Sequence, residues 1–112
     1  MLSFQSLDVY RCAIAFLGQV TPLSEKLPRG YGPLADQLRR AALSVPLNIA
    51  EGNGRQGKDA AHHYTIARGS ALECAAILDA CEALRFVASP ETMPLRELLE
   101  RVVCMLTKMR GG

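Results

Sequence analysis

Seven residues near the middle of the chain, Gly52-Asn53-Gly54-Arg55-Gln56-Gly57-Lys58, carry three glycines and two cations. They satisfy two phosphate-loop patterns at once, G-x-G-x-x-G and G-x-x-x-x-G-K. Both patterns work when a strand precedes the loop, so that backbone N–H groups and a helix N-terminus cradle the phosphate. Here the preceding segment reads as helix. Asp59 stands where a Ser or Thr would hold magnesium, and its charge would repel a nucleotide phosphate. Nucleotide hydrolysis is therefore not expected. The stretch reads as a helix–helix connection that leaves Arg55 and Lys58 beside free amide groups, in reach of nucleic-acid phosphates.

Other reactive side chains give little support to catalysis. His62 and His63 are adjacent, so on a helix they point about 100° apart and do not serve one ligand set. Cys12, Cys74, Cys81 and Cys104 contain no C-x-x-C pair and read as small apolar core thiols, with neither metal nor disulfide expected. Ser70, in Gly69-Ser70-Ala71, reads as a small residue that admits a neighbouring helix. No nucleophile–base order stands out, so no enzyme and no cofactor are expected.

Arg39, Arg40, Arg55, Lys58 and Arg68 are five of the 13 basic residues. Gathered in one region they would make a phosphate-contacting surface for RNA or DNA. The alternative is a set of solvated or intersubunit ion pairs with Asp36, Glu51 and Glu73. Leu43 and Leu47 fall opposite the apolar stripe of their helix, four residues apart, and suit a subunit contact. Glu73 shares a helical face with Ile66, Ile77 and Leu84. That predicts a buried carboxylate paired to Arg40, Ser44 or Asn48, holding two helices in register. A raised-pKa general acid is the alternative reading of Glu73.

These residues need elements to position them. The 112 residues suffice for one domain, 1–112. Hydrophobic residues make up 49% and charged residues 21%, which excludes wholesale disorder. Aromatics are 5% with no Trp, and Ala and Leu abound, favouring helices packed through small side chains. The longest apolar run is Cys12–Leu17, too short for a membrane span. The first residues lack a basic n-region, so the cytoplasm is the expected compartment. The net charge of +2 decides nothing alone.

Helical spacing predicts four segments. The first covers about Leu7 to Lys26, with Tyr10, Ala13, Ile14, Leu17 and Val20 as its stripe and Pro22 bending it or ending it near Thr21. The second begins at Pro33, carries Leu34, Leu38, Ala41, Ala42, Val45 and Ile49, kinks at Pro46 and stops at Gly52-Asn53-Gly54. The third, about Asp59 to Val87, is apolar nearly all round, as expected of a helix that is central or covered by a partner subunit. The fourth follows Ser89–Pro94, with Leu95, Leu98, Leu99, Val102, Leu106 and Met109 on one face and a Glu97–Arg101 pair. Short connections predict an all-α, up-and-down four-helix bundle.

One stretch is more specific. Gln37-Leu38-Arg39-Arg40-Ala41-Ala42-Leu43-Ser44-Val45-Pro46-Leu47-Asn48-Ile49-Ala50-Glu51-Gly52-Asn53-Gly54-Arg55 resembles the signature of the bacterial four-helix bundle proteins, also called intervening-sequence proteins. Some of these are encoded inside insertions in large-subunit ribosomal RNA genes. Ala67-Arg68-Gly69-Ser70-Ala71-Leu72-Glu73 resembles the second motif of that family, and Phe4 with Leu7–Tyr10 its N-terminal element, Tyr10 standing where a Trp is common. The resemblance covers essentially the whole chain. It implies a cytosolic bundle, commonly a ring of five subunits. A related branch comprises accessory proteins of diversity-generating retroelements, which associate with a reverse transcriptase and its RNA. The combined expectation is a non-enzymatic homo-oligomer acting as a nucleic-acid or ribonucleoprotein accessory module. The alternative is a structural oligomer that binds a protein partner.

Overall fold

Four helices account for most of the chain: α1 (Asp8–Glu25), α2 (Gly32–Asn53), α3 (Gly57–Ala83) and α4 (Ser89–Met109), preceded by a short 3-10 turn at Ser3–Ser6. The computed structural model describes all 112 residues and contains no strand. Each helix packs on two neighbours, α1 on α2 and α4, and α3 on α2 and α4, while the diagonal pairs do not meet. Cross-helix bonds fix the directions. Asn48 pairs with His63 and Ser44 with Ser70, so α2 and α3 run antiparallel. Arg68 meets Thr107 and Arg96 meets Asp79, so α3 and α4 do too. The result is an up-and-down bundle of 43 × 27 × 23 Å.

The core runs the length of the bundle through Phe16, Leu38, Ile49, Leu78 and Leu106, all essentially inaccessible to water. On α2 the expected stripe is buried at Leu38, Ala41, Ala42, Val45 and Ile49. On α1 the core takes Phe16 instead of Ile14, which is exposed. α1 passes through Pro22 and ends at Glu25, four residues beyond the break at Thr21 that was one expectation. Pro22 and Gly18 are both exposed, so the carbonyl that loses its N–H partner faces water.

α4 starts at Ser89, inside the segment expected to precede it. Pro90 lies in the first turn, where its missing N–H costs nothing. Glu91 folds back so that its Oε1 accepts from the Ala88 N–H at 3.1 Å. α3 ends at Ala83, four residues short of expectation. Arg85 adopts a left-handed conformation (φ 62°), and the Phe86 N–H donates to the Cys81 carbonyl at 2.9 Å, closing the helix end. The expected Glu97–Arg101 pair does not form; Arg96 holds this part of α4 through Asp79 and Glu82.

Candidate nucleic-acid interface and the α2–α3 seam

The five basic side chains do not converge. Arg39 turns toward α1, donating to Ser24 Oγ at 3.1 Å and to Asp36 at 2.6 Å. Arg68 turns the other way, toward α4, donating to Thr107 Oγ1 at 2.8 Å. Arg55 bridges Glu51 and Asp59 across the α2–α3 turn at 3.4 and 2.9 Å. Sixteen residues of helix and turn separate Arg39 from Arg55, about 24 Å at helical rise. Only Arg40 and Lys58 are exposed with neither a hydrogen bond nor an ion pair. The reason is local. Arg39 and Arg40 point 100° apart on one helix, and each long side chain takes the nearest polar partner its own face offers.

The turn itself is an electrostatic clasp. The Arg55 guanidinium lowers the Asp59 pKa through its hydrogen bond, and Asp59 in return raises that of Arg55. Gly57, at φ 57°, admits a conformation that a side chain would strain. The segment connects two helices as expected of it, and Asp59 is engaged with Arg55. No group of three or more His, Cys, Asp or Glu side chains is placed to hold a metal ion.

Glu73 corrects the sequence expectation. It is exposed, and it makes no hydrogen bond or ion pair with Arg40, Ser44 or Asn48. Of its three face-mates, Ile66 and Leu84 are 38% and 46% exposed and Ile77 is buried, so Glu73 stands outside the packed seam. The face that packs inward holds Ala67, Ala71, Cys74 and Cys81 beside Tyr64, Ile77 and Leu78. Small side chains are buried here because they let the α2 and α3 axes approach.

The two helices are nonetheless joined by polar groups from both motifs. Ser70 Oγ donates to Ser44 Oγ at 2.9 Å. Asn48 Nδ2 donates to the Ser44 carbonyl at 3.0 Å and lies 3.1 Å from Ser44 Oγ. Asn48 Oδ1 lies 3.1 Å from His63 Nδ1. With the Asn48 amide donating toward Ser44, its oxygen accepts, and His63 carries its proton on Nδ1. Ser44 and Asn48 were among the partners expected of α2, and the α3 partners are Ser70 and His63. Asn48 stands between His63 and the two serine hydroxyls, and the chain of bonds links α2 to α3.

Leu43 and Leu47 stand on the α2 face opposite the core, 46% and 57% exposed. Leu72, on α3, is 45% exposed and borders a groove between α3 and α4.

The sequence matches the family described as 23S rRNA-intervening sequence protein over residues 5–108. The chain belongs to that family. No curated protein matches it as a relative. The match to the 23S rRNA-intervening sequence proteins spans the α2 motif, the α3 motif and all four helices. Two structurally important residues of this member escaped the sequence reading. His63 looked like half of an idle pair, and its partner Asn48 lies 15 residues away. Arg96 could have been found from its i, i+4 relation to Thr92, which faces the same side of α4. No helix is long and apolar enough to cross a membrane.

Proposed function

We propose that the protein is a self-assembling, non-enzymatic bundle that serves as an accessory module on nucleic acid or ribonucleoprotein. The observation that carries this reading is the pair Leu43 and Leu47, two large apolar side chains held outward on α2. Contiguous apolar surface of this kind is removed from water by association. Assembly, as a ring of five or another closed number, would repeat the exposed cations of the α2–α3 turn around its circumference. Lys58, which has no partner within the chain, then presents phosphate-binding charge several times over, giving avidity that one copy lacks. RNA, DNA and a nucleic-acid enzyme such as a reverse transcriptase are the partners this surface suits.

Light scattering at micromolar concentration tests the assembly, and a salt-titrated gel shift with structured RNA and duplex DNA tests the charge. Binding should weaken steeply with salt, and Arg55→Ala with Lys58→Ala should flatten the slope. A second reading is a structural oligomer that holds a protein partner. It is favoured by Arg39, Arg55 and Arg68 being engaged within the chain. An unchanged salt slope in the double variant decides for it.

A further inference from the structure

We propose that Leu43 and Leu47 of one copy dock into the groove between α3 and α4 of the next, joining copies head to tail. The proposal rests on the self-assembly reading and specifies which surfaces meet. The groove has a volume of about 330 Å³ and an apolar floor of Leu72, Ala75, Val103 and Cys104. α2 and α4 are diagonal in the bundle and do not touch, so α2 cannot fill the groove of its own chain.

Charge order identifies a second copy as the occupant. Along α2, Arg40 precedes Leu43 by about one turn, and Glu51 follows Leu47 by about one turn. Along α4, Glu100 precedes Cys104 by about one turn, and Lys108 follows it by about one turn. Arg40, Glu100 and Lys108 are exposed and have no partner within the chain. The α2 order is cation, apolar pair, anion, and the α4 order is anion, apolar, cation. Laid parallel, α2 of one copy meets α4 of the next with Arg40 at Glu100, the leucines over Leu72 and Val103, and Glu51 toward Lys108. Arg40 to Glu51 covers about 16 Å and Glu100 to Lys108 about 12 Å, a difference that long side chains span. Because the two surfaces differ, the contact is heterologous. With α2 and α4 diagonal, the two surfaces face different sides of the bundle, so the contact closes into a ring or runs on as a filament.

Cys104 provides the test. It is the exposed cysteine, while Cys12, Cys74 and Cys81 are buried. Leu47→Cys and Leu43→Cys are each oxidised with diamide and run on a non-reducing gel, with wild type and Ile14→Cys as controls. The expected result is a ladder of covalent dimers and larger multimers from at least one leucine variant, and monomers from both controls. Uncrosslinked wild type is weighed by light scattering in parallel. An oligomer that gives no ladder in either leucine variant overturns the docking mode and leaves self-assembly standing. A monomer overturns the self-assembly reading beneath it, and wild-type dimers linked through Cys104 alone overturn the heterologous geometry. Arg40→Glu, checked for retained helicity, should lower the assembled mass, and adding Glu100→Arg should restore it. Failure to restore it in a helical protein overturns the proposed pairing.

Discussion

The ring of Tyr64 covers Gly52 so closely that a Cβ on residue 52 would stand 2.6 Å from Tyr64 Cε1. This contact seals the end of the α2–α3 seam, where the antiparallel helices turn back through Gly54–Gln56. Gly52→Ala would gain about 1 kcal/mol of helix propensity. The overlap with a ring that is itself buried should outweigh that gain, leaving a net loss of about 1–2 kcal/mol in urea unfolding. Tyr64→Ala empties the space. In that background Gly52→Ala should be neutral or stabilising, and a full loss there would show that ring contact is not the cause.

The bonds running from Ser70 through Ser44 and Asn48 to His63 make a second prediction. Asn48→Ala leaves the ring nitrogen of His63 and the Ser44 hydroxyl short of partners in a half-buried seam. The expected cost is about 1–3 kcal/mol. Ser44→Ala combined with Ser70→Ala removes both members of one bond and should cost less than Asn48→Ala alone. Thermal unfolding of the three variants at neutral pH checks the order.

Much of this architecture was readable from periodicity, and the exceptions have a common origin. The α2 stripe stands out because Leu38, Val45 and Ile49 are large and the opposite face is mixed. α3 misleads because its buried face mixes the small Ala67, Ala71, Cys74 and Cys81 with Tyr64, Ile77 and Leu78, while Ile66, Leu72 and Leu84 stay outside. Side-chain size therefore does not separate the two faces, since Ile77 and Leu78 are buried, and a reading that follows Ile66, Ile77 and Leu84 turns Glu73 inward. Close helix approach is a property of the pair, and neither helix encodes it alone. The basic cluster fails for a similar reason. Neighbours in sequence on a helix diverge in space, and Ser24 and Thr107, which draw Arg39 and Arg68 apart, come from other helices.

Acid should loosen the α3–α4 corner. The Glu82 carboxylate accepts from Ser89 Oγ at 2.6 Å and from the Arg96 guanidinium, which together hold its pKa below the ordinary 4.5. A depressed folded-state value stabilises the fold at neutral pH. That contribution persists down to the unfolded value and is lost as pH falls from about 4.5 through the lower folded one. Glu82→Gln should therefore have a lower Tm than wild type at pH 7 and converge with it in acid. Parallel melting curves across that range would assign the acid sensitivity elsewhere. The clasp of Asp59 with Arg55 titrates in the same direction, but both partners are exposed, so added salt should reduce its share.

The α3–α4 turn carries its own strain. Arg85 is the one non-glycine residue with positive φ, at 62°, in the position after a helix where glycine is favoured. Its backbone is committed, because the Phe86 N–H reaches the Cys81 carbonyl and the Phe86 ring packs edge-on against Tyr31, with centroids 4.6 Å apart. The Arg85 side chain is exposed and makes no hydrogen bond or ion pair that would offset the cost. Arg85→Gly should therefore raise stability by about 0.5–1 kcal/mol, even after the added freedom of the unfolded chain. Arg85→Asn should lie between the two, since asparagine tolerates this conformation better than arginine. Arg85→Val, β-branched and poorly suited to positive φ, should lower stability by a similar amount or more. Urea midpoints ordered Gly, Asn, Arg, Val would tie the effect to the backbone. A Gly variant less stable than wild type would mean that the arginine side chain contributes more than its conformation costs.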